Sequence, residues 1–189
     1  MSVNSTKEFR LTLSDETATE RLGLVLHQMM VRSQCSGAPD GERKHGRWVV
    51  FLRGQLGVGK TTLVRGLMRG FGYMGAVKSP TFTLVEPYES DDYQVYHFDL
   101  YRLVEPEELE FVGLDDYLGG EMSSRSIVLI EWPERGGTAL PEADLDIDIG
   151  IAGRGRWARL TGTSSRGREA VTSISGQWAD IEGQGAERS

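Results

Sequence analysis

The chain reads as a single α/β domain, and three features of its 189 residues point there. A short apolar run, Trp48-Val49-Val50-Phe51-Leu52, leads into a glycine-rich loop. That loop, Gly54-Gln55-Leu56-Gly57-Val58-Gly59-Lys60-Thr61-Thr62, opens onto a helical stretch from Lys60 to Phe71. Several later segments are short apolar or alternating runs that suit strands. Strand, glycine loop and helix in that order make a phosphate-binding unit, so the expected fold is that of the P-loop NTPases, a mixed sheet with flanking helices. Residues 1–163 are expected to form the one domain, with 164–189 as a weakly ordered C-terminal tail.

Taken in order, Glu8 to Leu13 alternates polar and apolar, and Ser14 stands where a helix cap would. A helix should run from Asp15 to Val31. Ala18, Leu22, Leu26 and Met29 would form its inner face, because three- and four-residue steps return to the same side of a helix. Residues 32–47 lack any periodicity and read as a surface loop. Beyond the glycine loop, strands are expected at 83–88, 94–99, 127–131, 144–149 and 156–160. Pro106 suits the start of a short helix through Phe111. After Thr163 the chain is rich in Ser, Gly and Arg, and Val171, Ile174, Trp178 and Ile181 look scattered, hence the expected tail.

Composition narrows the function. A net charge of −7 and a pI near 5.1 argue against a protein that grips nucleic acid over a broad surface by itself. The charge is uneven: residues 105–121 carry seven acids and no base, whereas 150–168 carry Arg154, Arg156, Arg159, Arg166 and Arg168 and no acid. Such poles suit docking to other macromolecules, although a charge run also serves simply as a solvated face. No run approaches the roughly 18 apolar residues of a membrane span, and the amino terminus lacks the blocks of a secretory signal. A cytoplasmic protein without membrane contact is expected. The single Cys35 excludes an internal disulfide and cannot build a zinc site alone.

The chemistry lies in Gly54 to Thr62. Gly54-x-x-x-x-Gly59-Lys60-Thr61 matches the Walker A pattern, and it lies between the strand and helix that the pattern requires. A polyphosphate needs several converging donors, which curled glycine backbone and the unpaired amides of a helix start supply. Lys60 would reach between the β- and γ-phosphates, and Thr61 would present its hydroxyl to Mg²⁺. Hydrolysis needs more: a carboxylate near the metal and an oriented water. Two expected strands end in acids, Gln94 to Asp99 and Ser126 to Glu131. Glu131 is assigned to the metal, directly or through water, and Asp99 to the water or the metal. The alternative for each is a cap or an arginine partner. His97 reads as a packed or hydrogen-bonded strand residue rather than a ligand. The Asn-Lys-x-Asp loop that selects guanine is absent, which favours ATP. A small-molecule kinase is the second reading, weakened because the stretch between Asp99 and the Glu131 strand offers only Arg102 and Arg125 for a lid over the phosphates.

Four blocks carry a resemblance over nearly the whole expected domain: Gly54 to Thr62, Lys78-Ser79-Pro80-Thr81-Phe82-Thr83-Leu84-Val85, His97-Phe98-Asp99-Leu100-Tyr101-Arg102-Leu103 and Ile130-Glu131-Trp132-Pro133. Together they resemble the TsaE family, formerly YjeE, the P-loop ATPases of bacterial tRNA threonylcarbamoyladenosine biosynthesis. The resemblance implies an ATPase that is slow unless in complex. It would act with TsaB and TsaD to install threonylcarbamoyl on adenosine 37 of tRNAs reading ANN codons, meeting tRNA through that complex, with self-association left open. It also implies Thr61 and Glu131 at Mg²⁺, Asp99 beside the phosphates, Glu16 and Thr19 near the adenine, and Arg156 near the nucleotide. The hydroxyls of Ser79, Thr81 and Thr83, on a loop stiffened by Pro80, could sense a γ-phosphate as switch loops do, or form an ordinary turn. Trp132 could stack beside the site or belong to the core.

Overall fold

The computed structural model describes residues 6–35, 46–80, 83–89, 93–109, 113–114, 117 and 125–186. In chain order they form β1 (Lys7–Leu13), α1 (Glu16–Cys35), β2 (Trp48–Arg53), α2 (Lys60–Gly70), β3 (Val85–Glu89), β4 (Tyr93–Asp99), β5 (Arg125–Glu131), β6 (Leu145–Ala152), β7 (Gly155–Gly162) and α3 (Ser165–Ala186). Short 3-10 turns cover Pro133–Arg135 and Gly137–Ala139.

All seven strands join one sheet in the order β1-β7-β6-β2-β5-β4-β3. The centre is parallel, with β2 between β5 and β6 and β4 beside β5, while the β1-β7, β6-β7 and β3-β4 pairs are antiparallel. This is the mixed α/β sheet expected. The continuous apolar run Ile127 to Ile130 is buried throughout, as a central parallel strand covered on both faces requires.

The helices α1, α2 and α3 share one core with one face of the sheet, including Leu22 and Leu26 of α1, Leu63 and Leu67 of α2, Val50 and Leu52 of β2, and Leu129 of β5. On the other face, Phe98, Leu100, Leu103, Leu109, Val128 and Ile130 form a smaller cluster. The inner face read for α1 is as expected, with Ala18, Leu22, Leu26 and Met29 all buried. Its cap is different: Asp15, not Ser14, accepts the Ala18 N–H at 2.8 Å. That bond holds the Asp15 carboxyl below the usual carboxylate range. Ser14 supports the cap by donating to the other oxygen of Asp15.

The tail departs from its expectation. Residues 165–186 form α3, and Ala170, Val171, Ile174 and Trp178 are buried against the main core. The steps from Val171 to Ile174, Trp178 and Ile181 are three, four and three, which is one helical stripe. Burial of such side chains stabilises the docking by about 1.5–3 kcal/mol apiece. Glycine and serine between them hid the stripe. α1 likewise runs on to Cys35, into the segment expected as loop, and residues 36–45 of that segment lie outside the described residues. Of the short helix expected at 106–111, Glu108 and Leu109 are helical and 110–112 lie outside the described residues.

Candidate functional site

Parallel pairing sets Leu52 opposite Glu131 and Glu131 opposite Asp99, so β2, β5 and β4 end in register. The glycine loop leaves the end of β2 and returns as the start of α2 at the same edge. In open α/β sheets, ligands bind outside the carboxyl ends of strands. The loop takes its shape from backbone that only glycine adopts readily: Gly54, Gly57 and Gly59 have φ of 130°, 75° and 115°. At Gly54 a Cβ would also stand 2.3 Å from the Ile149 carbonyl oxygen.

Lys60 is 4% exposed. Its ammonium donates to the carbonyls of Gly54 (2.8 Å) and Gln55 (3.2 Å). It stands 3.9 Å from Glu131 Oε2 and lies over the Trp132 ring at 4.3 Å from the centroid. Burial holds it below the usual lysine range, against the pull of Glu131, Asp99 and Glu134. Trp132 therefore stacks beside the site as well as touching the core, and its backbone is left-handed, at φ 58°.

Glu131 and Asp99 are both buried, at 3% exposure each. Thr61 donates its hydroxyl to Glu131 Oε1 at 3.0 Å, and His97 Nε2 lies 3.0 Å from the same oxygen. Asp99 accepts the Tyr101 N–H at 3.0 Å on one oxygen and the Ser79 hydroxyl on the other. Thr81, expected to share the sensing role of Ser79, lies outside the described residues.

The structure thus brings Lys60, Thr61, Asp99 and Glu131 together, and it places the remaining expected residues along the loop. Arg156 donates from Nε to the Val58 carbonyl. Arg156 and Thr19 are the side chains that a Cβ on Gly59 would meet, at 3.2 and 3.6 Å. Thr19 is fully buried and donates to the Asp15 carbonyl at 3.1 Å. Glu16 is held at 2.5 Å by Arg65, which also donates to Thr62 at 3.2 Å. Val58 is buried in the core, whereas Leu56 is 71% exposed. Arg65 had no place in the sequence reading. Its signal was the single helical turn separating it from Thr62.

Among the described residues no group of three or more His, Cys, Asp and Glu could hold a metal by itself. Mg²⁺ does not require one: it keeps several waters and takes one or two carboxylates together with phosphate oxygens. A threonine hydroxyl and a carboxylate already in contact at the mouth of a phosphate loop are a donor set that fits it.

The basic pole is largely spent within the fold. Arg156 is bonded to the loop, Arg159 to Asp148 and Arg166 to Asp144. In the acidic pole, Glu108 accepts the N–H groups of Val104 and Glu105.

Comparison with known proteins shows the family. The family model described as "Threonylcarbamoyl adenosine biosynthesis protein TsaE" matches residues 13–158. A Haemophilus influenzae protein named tRNA threonylcarbamoyladenosine biosynthesis protein TsaE is 47% identical over 127 residues, which cover 67% of this chain and 78% of that protein. A Synechocystis protein of the same name is 39% identical over 135 residues, 71% of this chain and 74% of that one. Among solved structures, the crystal structure of Bacillus subtilis YdiB superposes with a TM-score of 0.68 at 25% identity, covering 92% of this chain and 97% of that one.

Proposed function

The chain belongs to the TsaE family, and from that premise we propose that it is an ATP-binding and ATP-hydrolysing accessory protein of tRNA threonylcarbamoyladenosine formation. It acts with TsaB and TsaD on adenosine 37 of tRNAs that read ANN codons, in the cytoplasm. The observation that carries this reading is the convergence of Lys60, Thr61, Asp99 and Glu131 at the strand ends beside a glycine loop.

In this reading the amides from Gly54 to Thr62 cradle the phosphates. Lys60 trades its loop carbonyls for phosphate oxygens, a charge-assisted exchange that favours the ligand. Glu16 and Thr19 flank the adenine, and Arg156 steadies the loop at Val58. Thr61 and Glu131 would hold Mg²⁺, which when bound supplies neutralisation of the charge that develops on the phosphates. Asp99, already fixed by Ser79 and the Tyr101 amide, is oriented to accept a proton from the attacking water. Partners meet a protein in which no helix among the described residues is long and apolar enough to cross a membrane.

The test is reconstitution with TsaB, TsaD, an unmodified ANN-reading tRNA and the substrates of the modification, scored by nucleoside mass spectrometry. Omitting this chain should reduce repeated turnover, and the wild type but not Lys60→Ala should restore it. Equal modification with and without the chain would overturn the reading.

A further inference from the structure

His97 takes no part in the function as argued so far, yet it is completely buried two positions before the end of the strand that closes on Asp99. Register places it on the same face of β4 as Asp99, two residues earlier and one strand away from Glu131. Its Nε2 lies 3.0 Å from Glu131 Oε1, the oxygen that also accepts the Thr61 hydroxyl at 3.0 Å. Its Nδ1 has no hydrogen-bond partner among the described residues. A carboxylate oxygen can only accept from an imidazole, so the contact requires the proton on Nε2.

The inference rests on the Mg²⁺-nucleotide reading above: we propose that His97 is a positioning residue for that site, fixing Glu131 by an Nε2–H···Oε1 bond so that the carboxylate and the Thr61 hydroxyl are presented together. The geometry favours this over simple filling of the core. An apolar side chain would pack at this position on the strand, whereas a buried imidazole with one unpartnered nitrogen is retained at a desolvation cost. The bond occupies Oε1 together with that of Thr61 and leaves Oε2, 3.9 Å from Lys60, as the less engaged oxygen. Partners of this kind orient the groups that meet a metal, and their loss lowers metal affinity by about 10- to 100-fold.

Three variants separate the hydrogen bond from packing. His97→Gln carries an amide N–H near the place of Nε2, His97→Asn is too short to reach Glu131, and His97→Leu fills the space without a donor. ADP affinity is measured calorimetrically for each, in EDTA and across a Mg²⁺ titration, after circular dichroism has established folding. The expected result is equal affinity in EDTA for all four proteins. Mg²⁺ should act on the wild type and His97→Gln at similar concentrations, and on His97→Asn and His97→Leu at concentrations about 10- to 100-fold higher. If His97→Leu does not fold, the contrast between Gln and Asn decides. A Mg²⁺ dependence that is the same in wild type, Gln and Asn overturns the positioning role alone. No Mg²⁺ dependence in the wild type overturns the Mg²⁺-nucleotide reading and the role together. Independently of any ligand, the ¹⁵N imidazole spectrum of the free protein should show His97 protonated on Nε2, and a bare Nε2 overturns the proposal.

Discussion

Each end of the sheet buries a carboxylate among donors, but the two are completed to different degrees. At the amino-terminal end of β2 and β6, Asp144 accepts Val49 N–H at 3.0 Å and two donors from Arg166, whose guanidinium lies over the Trp48 ring. Both oxygens are engaged within the fold. At the carboxyl end, Glu131 Oε1 is matched by Thr61 and His97, but the cation nearest Oε2 stands at 3.9 Å and Lys60 is bonded to loop carbonyls instead. The closed network fastens the start of α3 to the sheet. The open one sets a lysine, a hydroxyl and a carboxylate with one loosely engaged oxygen at the phosphate loop, with the buried ammonium held below its usual range.

If that contrast is right, damage at the carboxyl end should cost chemistry, and damage at the amino end should cost stability. The largest effect belongs to Glu131→Gln and Asp99→Asn, which should slow phosphate release by about 10²- to 10⁴-fold. Nucleotide bound in EDTA should remain measurable, because the glycine cradle is untouched. A folded variant that hydrolyses normally takes that residue out of the mechanism.

Lys60→Ala comes next. Loss of a charge-assisted phosphate contact should weaken ATP binding by about 1.5–3 kcal/mol, seen by isothermal titration. Its melting temperature should change little, since the variant no longer buries an ammonium but leaves the Glu131 carboxylate without its nearest cation. Weaker binding accompanied by a large fall in melting temperature would mean that Lys60 is structural.

The mirror experiment is Arg166→Ala. It leaves Asp144 without its ion partner and should lower stability by about 1–3 kcal/mol, less than a fully buried pair because Arg166 is partly exposed. ADP affinity should stay within twofold of wild type. A matching loss of affinity would show that the two ends are coupled.

The smallest effect lies away from both networks. Burial of His27 beside the Phe71 ring lowers its imidazole below the ordinary value of 6.5. A base depressed in the fold binds its proton more readily when unfolded, so the stability it confers is present above pH 6.5 and is lost as pH falls below it. Melting temperature should fall between pH 7.5 and 5.5 by more in wild type than in His27→Gln, with a slope below about 1.4 kcal/mol per pH unit.

The same contrast explains what could be read from the sequence. Gly54 to Thr62 is contiguous, so its spacing alone displays the chemistry, and Asp99 and Glu131 stand out because each closes an apolar or alternating strand. The bond between His97 and Glu131 is invisible there, because it depends on β4 lying beside β5, and strand order is a property of the sheet. Asp144 and Arg166 are 22 residues apart across a strand pair, with the arginine in a segment whose glycines and serines disguised a helix. Asp15 displaced Ser14 as the cap because its carboxylate reaches the Ala18 amide directly.

The most direct test of the central claim is phosphate release from ATP by the purified chain, alone and with TsaB, TsaD and tRNA. The account predicts slow release alone, a clear rise with the partners, and loss of both in Glu131→Gln. A rate that ignores the partners, or ATP consumption that instead follows an added small phosphoryl acceptor, would contradict it.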